Sequence, residues 1–147
     1  MATNHWLIRV GDGKNFRKSK LTIWGVKKCH KGMVNKFKPG DILWFLVNQD
    51  CGGKIIGMAE FTNFYDRKDE PFIQMNTITN SEQGWEGDSE FDIQIHYKNL
   101  YNTEKQNIKI CLKGRNTILN YEIVKSKIKD DLVLHYNNYK FYAEILR

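Results

Sequence analysis

The stretch that decides the fold spans residues 39–66 and reads PGDILWFLVNQDCGGKIIGMAEFTNFYD. Within it, residues 42–47 and 54–61 are two apolar, aromatic-rich runs of strand length. The connection, residues 48–53, contains Asn, Asp and two glycines, which favours a hairpin with a loop longer than a two-residue turn. Because residues 42–47 are apolar at every position, both faces of that strand are expected to be covered. The sequence therefore predicts a hairpin at the centre of a sheet.

Shorter patterns on both sides of the hairpin predict the rest of the sheet. The predicted strands are residues 5–10, 91–97, 108–112 and 139–146, and residues 21–26 form a short apolar run around Trp24. The predicted helices are residues 31–37 and 124–132, with a turn at Asn137 and Asn138. Several short strands with few short helices indicate a mainly β fold with short helices (α+β), built as a curved, mainly antiparallel sheet or small barrel.

Length and composition limit the class of protein. A chain of 147 residues that is 41% hydrophobic can bury about 70% of its unfolded surface, so residues 1–147 are expected to form a single domain. No basic segment followed by an apolar one opens the chain, and no apolar run approaches the length of a membrane span. Three separated cysteines without a Cys-x-x-Cys pair favour free thiols. We therefore expect a cytoplasmic protein without membrane attachment.

The basic and acidic residues are segregated along the chain. Nine lysines and arginines and no acid lie between Gly13 and Gly40, whereas residues 60–92 contain nine acids and two bases. Such a basic segment can attract phosphate groups. The alternative is a solvated lysine-rich face that only aids solubility.

Motifs for catalysis and for cofactor binding are absent. The chain has no Gly-x-Ser-x-Gly, no phosphate loop with Lys-Ser/Thr and no His-Glu-x-x-His. The Gly-x-Gly at Gly11 and Gly13 has Phe16 where a dinucleotide fingerprint needs its third glycine. The four histidines have no metal-ligand spacing. An enzyme is therefore unsupported, and neither a metal nor another cofactor is expected.

Two tryptophans lie outside the clearest core patterns. Trp24, in IWGV, lies within the basic segment, and Trp85, in GWEG, is bracketed by glycines. Two facing indoles can hold a nucleobase between them, because stacking contributes about 1–3 kcal/mol per base. The alternatives are a packed core aromatic for Trp24 and a loop anchor for Trp85. Trp6 and Trp44 lie on strand patterns and are expected in the core.

An ordered set of sequence pieces resembles a known family. IWGV, CHKGMVNKFKPGDILWF, GGKIIGMAEF and FYD follow one another between Trp24 and Asp66, and together they resemble the EVE domain, a PUA-like fold related to the YTH readers of modified RNA. The resemblance extends to the opening strand, HWLI. It implies a PUA-like curved β-pseudobarrel flanked by short helices, and binding rather than turnover.

The same resemblance implies a base pocket. Trp24 and Trp85 look like the two tryptophans of an aromatic cage that holds a flipped-out modified base. Asn15 lies near a base-contacting asparagine of the YTH pattern. Gly25 follows the first cage tryptophan, where a backbone contact to the base is expected.

Positive side chains complete the predicted site. Arg9 falls where the YTH pattern has a lysine at the end of the first strand, and it is expected to hold phosphate together with Lys27 and Lys28. The expected partner is RNA or DNA that carries a modified base. Extruding a base requires less free energy from a single strand than from a duplex, which favours a single-stranded target.

Two other functions stay open from the sequence. One is a small nucleoside amidohydrolase of the related ASCH type, with a lysine and a carboxylate near the same pocket. The other is a protein-interaction module whose exposed aromatic residues contact a partner chain.

Overall fold

The computed structural model describes residues 3–68, 79–87, 91–112, 114–128 and 131–142. Within these ranges, six strands form one mixed sheet that curls into a half-barrel. The strands are β1 (His5–Arg9), β2 (Ile23–Val26), β3 (Ile42–Leu46), β4 (Ile55–Asp66), β5 (Ile93–Asn102) and β6 (Ile118–Asn120), in the order β2-β5-β4-β3-β1-β6. The predicted mainly β class with short helices is confirmed.

Five short α-helices accompany the sheet in the described ranges. They are α1 (Lys14–Lys18), α2 (Lys31–Val34), α3 (Asn80–Gln83), α4 (Tyr121–Val124) and α5 (Leu132–Tyr142). In the part of the chain that the structure describes, none of the helices combines the length and the apolar character needed to cross a lipid bilayer.

The predicted hairpin lies near the middle of the sheet. β3 pairs antiparallel with β4 on one side and parallel with β1 on the other. Every residue of β3 is at most 1% exposed, which confirms that both faces are covered. β4 continues to Asp66, five residues beyond the predicted end, and this extension pairs with β5.

Alternating side chains of the central strands form two apolar clusters, one on each face of the sheet. The cluster that we call the front core contains Phe16, Trp24, Phe45 and Trp85. The cluster that we call the back core contains Leu7, Trp44, Leu46 and Tyr121. The alternation of Trp6 and Ile8 with His5 and Leu7 predicts that only one face of β1 is buried. This prediction is wrong, because Trp6 and Ile8 belong to the front core, Leu7 belongs to the back core, and His5 is only 7% exposed.

Several predicted elements in the second half of the chain differ from the structure. Residues 108–112 are not a strand, although Ile108, Ile110 and Leu112 are buried, because the sheet contact there is a single bridge between Lys54 and Lys109. Residues 137–142 belong to α5, so the predicted turn is wrong and so is the start of the predicted strand; residues 143–146 lie outside the described ranges. The helix predicted at residues 124–132 instead begins as α4 and ends in a 3-10 turn at Lys125–Lys127.

Candidate functional site

A cavity of about 430 Å³ opens where β1 ends and β2 runs beside α1. Five of the seven predicted site residues line it: Arg9, Asn15, Trp24, Gly25 and Lys27. The other two predicted residues, Lys28 and Trp85, do not line it. Clefts of about 300–1,000 Å³ are typical of sites for small molecules and cofactors, so the cavity is large enough for a nucleobase.

The remaining walls come from residues that the sequence did not single out for a site. Val10, Val26 and Phe91 add apolar surface, while His30 and Thr117 add polar groups. From the sequence alone, Phe91 and the two valines could be interpreted only as residues that face the core. Thr117 reaches the cavity because β6 pairs with β1, and neither the strand nor the pairing was predicted.

The two indoles of the predicted cage lie directly against each other. Their ring centroids are 5.1 Å apart with an angle of 64° between the planes, and each residue is only 9% exposed. This is an edge-to-face contact between neighbouring rings, which leaves no gap for a base between them. The expected sandwich is therefore wrong in its geometry. Trp24 forms part of the cavity wall, and Trp85 packs against Trp24 without lining the cavity.

Trp85 is fixed by hydrogen bonds from neighbouring segments. Its Nε1 donates to Ser19 Oγ at 2.7 Å, and Ser19 Oγ donates to the carbonyl oxygen of Asn15 at 2.9 Å. Gln83, which is fully buried, donates from Nε2 to the carbonyl oxygen of Ile23 in β2 at 2.6 Å. These bonds give Trp85 the contacts of a loop anchor, which was the alternative interpretation of this residue.

The four indole N–H groups differ in one respect. Trp6 Nε1 donates to Asp41 Oδ2 at 3.0 Å, Trp44 Nε1 to His5 Nδ1 at 3.0 Å, and Trp85 Nε1 to Ser19. Trp24 Nε1 has no hydrogen-bond acceptor among the residues that the structure describes, and it is not one of their buried polar atoms without a partner. Trp24 therefore lines the cavity with an indole N–H that remains accessible to solvent.

The side-chain amide of Asn15 is already engaged. Its Nδ2 donates to the carbonyl oxygen of Glu86 at 3.2 Å, and its Oδ1 accepts from the backbone N–H of Glu86 at 2.9 Å. The amide thus ties α1 to the segment that holds Trp85. For this amide to contact a base edge, both hydrogen bonds to Glu86 would have to break and be replaced by bonds to the base.

Arg9 connects β1 to the segment that precedes β6. Its guanidinium donates from Nη1 to the carbonyl oxygen of Gly114 at 2.7 Å and from Nη2 to that of Leu112 at 3.0 Å. The third nitrogen, Nε, is buried and has no acceptor among the described residues. An unpaired buried donor is unfavourable, and a ligand oxygen would remove that penalty only if the Arg9 side chain shifts to expose Nε.

Gly25 is required by packing. A Cβ placed on Gly25 would lie 2.6 Å from Cβ of Phe91, far inside contact distance. The absence of a side chain at Gly25 therefore lets Phe91 approach β2 and close one side of the cavity. The sequence signal for this contact was the glycine itself, which was interpreted only as a backbone contact to a base.

Acidic residues neutralise part of the basic segment. Asp66, 2% exposed, accepts a hydrogen bond from Lys31 Nζ at 2.8 Å, and Lys28 Nζ lies 3.8 Å from the same oxygen. Burial opposes ionisation of Asp66, but the bonds from Lys31 and from the backbone N–H of Lys68 keep its pKa below the usual value. Lys28 is thus partly committed to Asp66. Lys27 is exposed and forms no ion pair within the described ranges.

His30 is the one histidine on the cavity wall. Burial lowers its pKa, and the positive charge of Lys27 lowers it further. The imidazole is consequently neutral at neutral pH. The positive charge at this rim comes from Lys27 and Arg9.

Comparisons with known proteins identify similar solved structures but no family. No protein-family model matches the chain, and no curated protein matches it. The crystal structure of the YTH domain of Zygosaccharomyces rouxii MRB1 protein in complex with N6-methyladenosine RNA covers 93% of this chain and 88% of its own, with 13% identity and a TM-score of 0.44. The Pho92 YTH domain in complex with m6A covers 84% and 82%, with 15% identity and a TM-score of 0.43. Similarity at this level assigns neither a family nor a function.

Proposed function

We propose that this chain is a nucleic-acid-binding module that holds a modified base of single-stranded RNA or DNA in the cavity beside Trp24. The observation that carries the proposal is the indole N–H of Trp24, a residue on the wall of a base-sized cavity: it has no acceptor among the described residues, whereas the N–H groups of the other three tryptophans have acceptors. The ring offers a π surface and the N–H offers a donor, and a nucleobase has a face and an acceptor edge to match both.

Apolar side chains would contact the modification. Val10, Val26 and Phe91 line the cavity together with Trp24. A methyl group on the base would be removed from water against these side chains, which contributes about 0.8 kcal/mol for each buried carbon of this size. This is the physical reason for expecting a modified base to bind more tightly than its parent.

Polar recognition falls to Arg9 more than to Asn15. Arg9 Nε is a buried donor without an acceptor among the described residues, whereas both polar atoms of the Asn15 amide are paired with Glu86. A carbonyl or phosphate oxygen would reach this donor after a shift of the Arg9 side chain. Asn15 is then a positioning residue for the segment that holds Trp85.

Lys27 supplies charge for the phosphate backbone. It lines the cavity, is exposed, and has no ion pair within the described ranges. Phosphate contacts add affinity that falls with salt concentration, whereas contacts to a neutral base do not. Oligonucleotide binding should therefore be salt-dependent, and binding of a neutral nucleoside should not.

The test is a titration of the protein with N6-methyladenosine, 5-methylcytidine, adenosine and cytidine, each as a free nucleoside and as the centre of a pentanucleotide of uridines. Quenching of tryptophan fluorescence reports binding, and calorimetry confirms it. The proposal expects one methylated nucleoside to bind more tightly than its parent. No binding by any of these compounds, alone or within the pentanucleotide, would overturn it.

A second candidate, a nucleoside amidohydrolase, is favoured by one observation. Asp12 and Lys27 line the same cavity, which brings a carboxylate and an amine to one site. Asp12 Oδ1 accepts from the backbone N–H of Lys14 at 2.9 Å, and no ion pair joins Asp12 to Lys27 within the described ranges. Incubation of the same nucleosides with the protein, followed by chromatography, separates the two functions. If the protein only binds, every nucleoside should be recovered intact. A product that the wild type forms and that Lys27→Gln does not form would favour the enzyme.

A further inference from the structure

A second cavity, of about 600 Å³, adjoins the first. The two share three lining residues, Arg9, Gly11 and Thr117. A molecule that fills the first cavity and extends past these residues therefore enters the second. Since a base in a nucleic acid is always connected to a sugar and a phosphate, the continuity of the two cavities bears on the proposed function.

The lining of the second cavity differs in chemistry from that of the first. Beyond the three shared residues it consists of Asn48, Gln49, Asp50, Gly114 and Arg115. None of these has an apolar side chain, whereas the first cavity contains Trp24, Phe91 and two valines. A polar cavity of this kind suits a sugar and a phosphate, and an apolar one suits a base.

The second cavity is held in shape by bonds between three segments. Gln49 Nε2 donates to the carbonyl oxygen of Ile110 at 2.7 Å, and the backbone N–H of Asn48 donates to that of Gly11 at 2.9 Å. Arg9 holds the opposite wall through Gly114, and its own backbone N–H donates to the carbonyl oxygen of Thr117 at 2.8 Å. The loop between β3 and β4 and the segment before β6 are thus fixed to the end of β1.

Arg115 is the cation available in this cavity. It is exposed, and its guanidinium has no hydrogen bond or ion pair among the residues that the structure describes. The guanidinium of Arg9, by comparison, already donates to two carbonyl oxygens. A planar guanidinium without partners matches two oxygens of a phosphate group.

We propose that the second cavity binds the phosphodiester that links the bound nucleotide to its neighbour, and that Arg115 is the side chain that contacts this phosphate. This inference rests on the proposed function, because the base in the first cavity places the phosphate next to Arg115. Asp50 lines the same cavity and repels a phosphate. The net contribution of the cavity is therefore set by the balance between Arg115 and Asp50.

The test compares ligands that differ only in having a phosphate backbone. N6-methyladenosine and 5-methylcytidine are titrated as free nucleosides and as the centre of a pentanucleotide of uridines, with the wild type and with Arg115→Gln. We expect Arg115→Gln to weaken pentanucleotide binding about tenfold, as for the loss of a hydrogen bond to a charged group, and to leave nucleoside binding unchanged. The slope of log K against log salt should become shallower by about 0.7, the value for one phosphate on a single strand.

One further variant controls for general effects of charge, and a second one tests the role of Asp50. Lys105→Gln removes one exposed positive charge from a 3-10 turn that lines neither cavity, and it should affect pentanucleotide binding less than Arg115→Gln does. Asp50→Asn removes the repelling charge and should strengthen pentanucleotide binding.

The outcomes separate this inference from the proposed function. If a nucleoside binds but the pentanucleotide gains no affinity over it, or if the gain survives Arg115→Gln, the second cavity is not the phosphate site while the base site stands. If neither the nucleosides nor the pentanucleotides bind, the proposed function fails and this inference fails with it.

Discussion

Trp44 and Trp24 lie on opposite faces of the same sheet and show two different uses of an aromatic residue. Trp44, in the back core, is fully buried; its N–H donates to His5 Nδ1 at 3.0 Å, and its ring stacks on the His5 ring with centroids 6.1 Å apart. Trp24, in the front core, packs against Trp85 and Phe16 but also lines the cavity, and its N–H is unused within the described ranges.

The difference teaches how a binding tryptophan can be distinguished from a structural one. Both residues are surrounded by aromatic rings, and both are more than nine-tenths buried, so neither ring contacts nor burial alone separates them. The polar atom does, because the N–H of Trp44 donates to His5, whereas the N–H of Trp24 has no acceptor among the described residues and is open to a ligand. We therefore expect substitutions at Trp44 to act on stability and substitutions at Trp24 to act on binding.

The largest expected effect is that of Trp44→Ala on stability. Removing this fully buried indole leaves a cavity and orphans His5 Nδ1, which should lower the free energy of unfolding by about 3–5 kcal/mol. Urea denaturation followed by circular dichroism measures the loss. Ile123→Ala, at a residue that is 75% exposed, is the matched control. Equal losses in the two variants would contradict the assignment of Trp44 to the back core.

Trp24→Leu should lower nucleoside affinity by about 1–3 kcal/mol, the contribution of one stacked base. Leucine keeps part of the apolar contact with Trp85 and so limits the loss of stability. The control is Phe16→Leu, since Phe16 packs against Trp24 with ring centroids 5.8 Å apart but does not line the cavity. Calorimetry at a temperature where both variants are folded should show weaker binding only in Trp24→Leu. Equal losses of affinity in the two variants would contradict a specific binding role for Trp24.

The pH dependence of stability tests the partner of Trp44. Burial lowers the pKa of His5 below its ordinary 6.5, against the attraction of Asp41, Glu122 and Asp131. Because the unfolded chain takes up this proton more readily, the contribution of His5 is fully present above about pH 6.5 and is lost as the pH falls through the lowered pKa. Unfolding by urea between about pH 7.5 and about pH 5 should give a shallower pH dependence for His5→Gln than for the wild type. Parallel curves would show that another group is responsible.

The smallest expected effect distinguishes Lys27, which lines the cavity, from its neighbour Lys28, which does not. Lys27 has no ion pair within the described ranges and should contact phosphate, whereas Lys28 lies 3.8 Å from Asp66. Lys27→Gln should reduce the slope of log K against log salt for the pentanucleotide by about 0.7. Lys28→Gln should reduce it less. A larger change in slope for Lys28→Gln than for Lys27→Gln would assign the phosphate contact to Lys28 instead.

Local sequence patterns were sufficient for the centre of the fold. The short continuous apolar run of β3, preceded by Pro39 and Gly40, favours a strand with both faces covered, and the glycines of the following loop indicate the hairpin. The second half of the chain was harder because its patterns are ambiguous. In α5 the apolar residues are spread around the helix instead of forming one stripe, so no helical period could be recognised.

The candidate site was predictable where it depends on single strands and not where it depends on packing. Arg9 ends β1 and Trp24 and Gly25 lie in β2, and all three line the cavity. The contact between Trp24 and Trp85 depends on how two side chains 61 positions apart pack, which no local pattern encodes. The same holds for Thr117, which reaches the cavity only through the pairing of β6 with β1.

The most direct test of the central claim follows the four indole N–H signals in a ¹H–¹⁵N correlation spectrum during titration with N6-methyladenosine and then with 5-methylcytidine. The account predicts that one of these nucleosides shifts the Trp24 indole signal and the Gly25 amide, while the Trp44 and Trp6 indole signals keep their positions. Saturating binding that leaves the Trp24 signal unchanged, or that shifts the Trp44 signal as much, would contradict it.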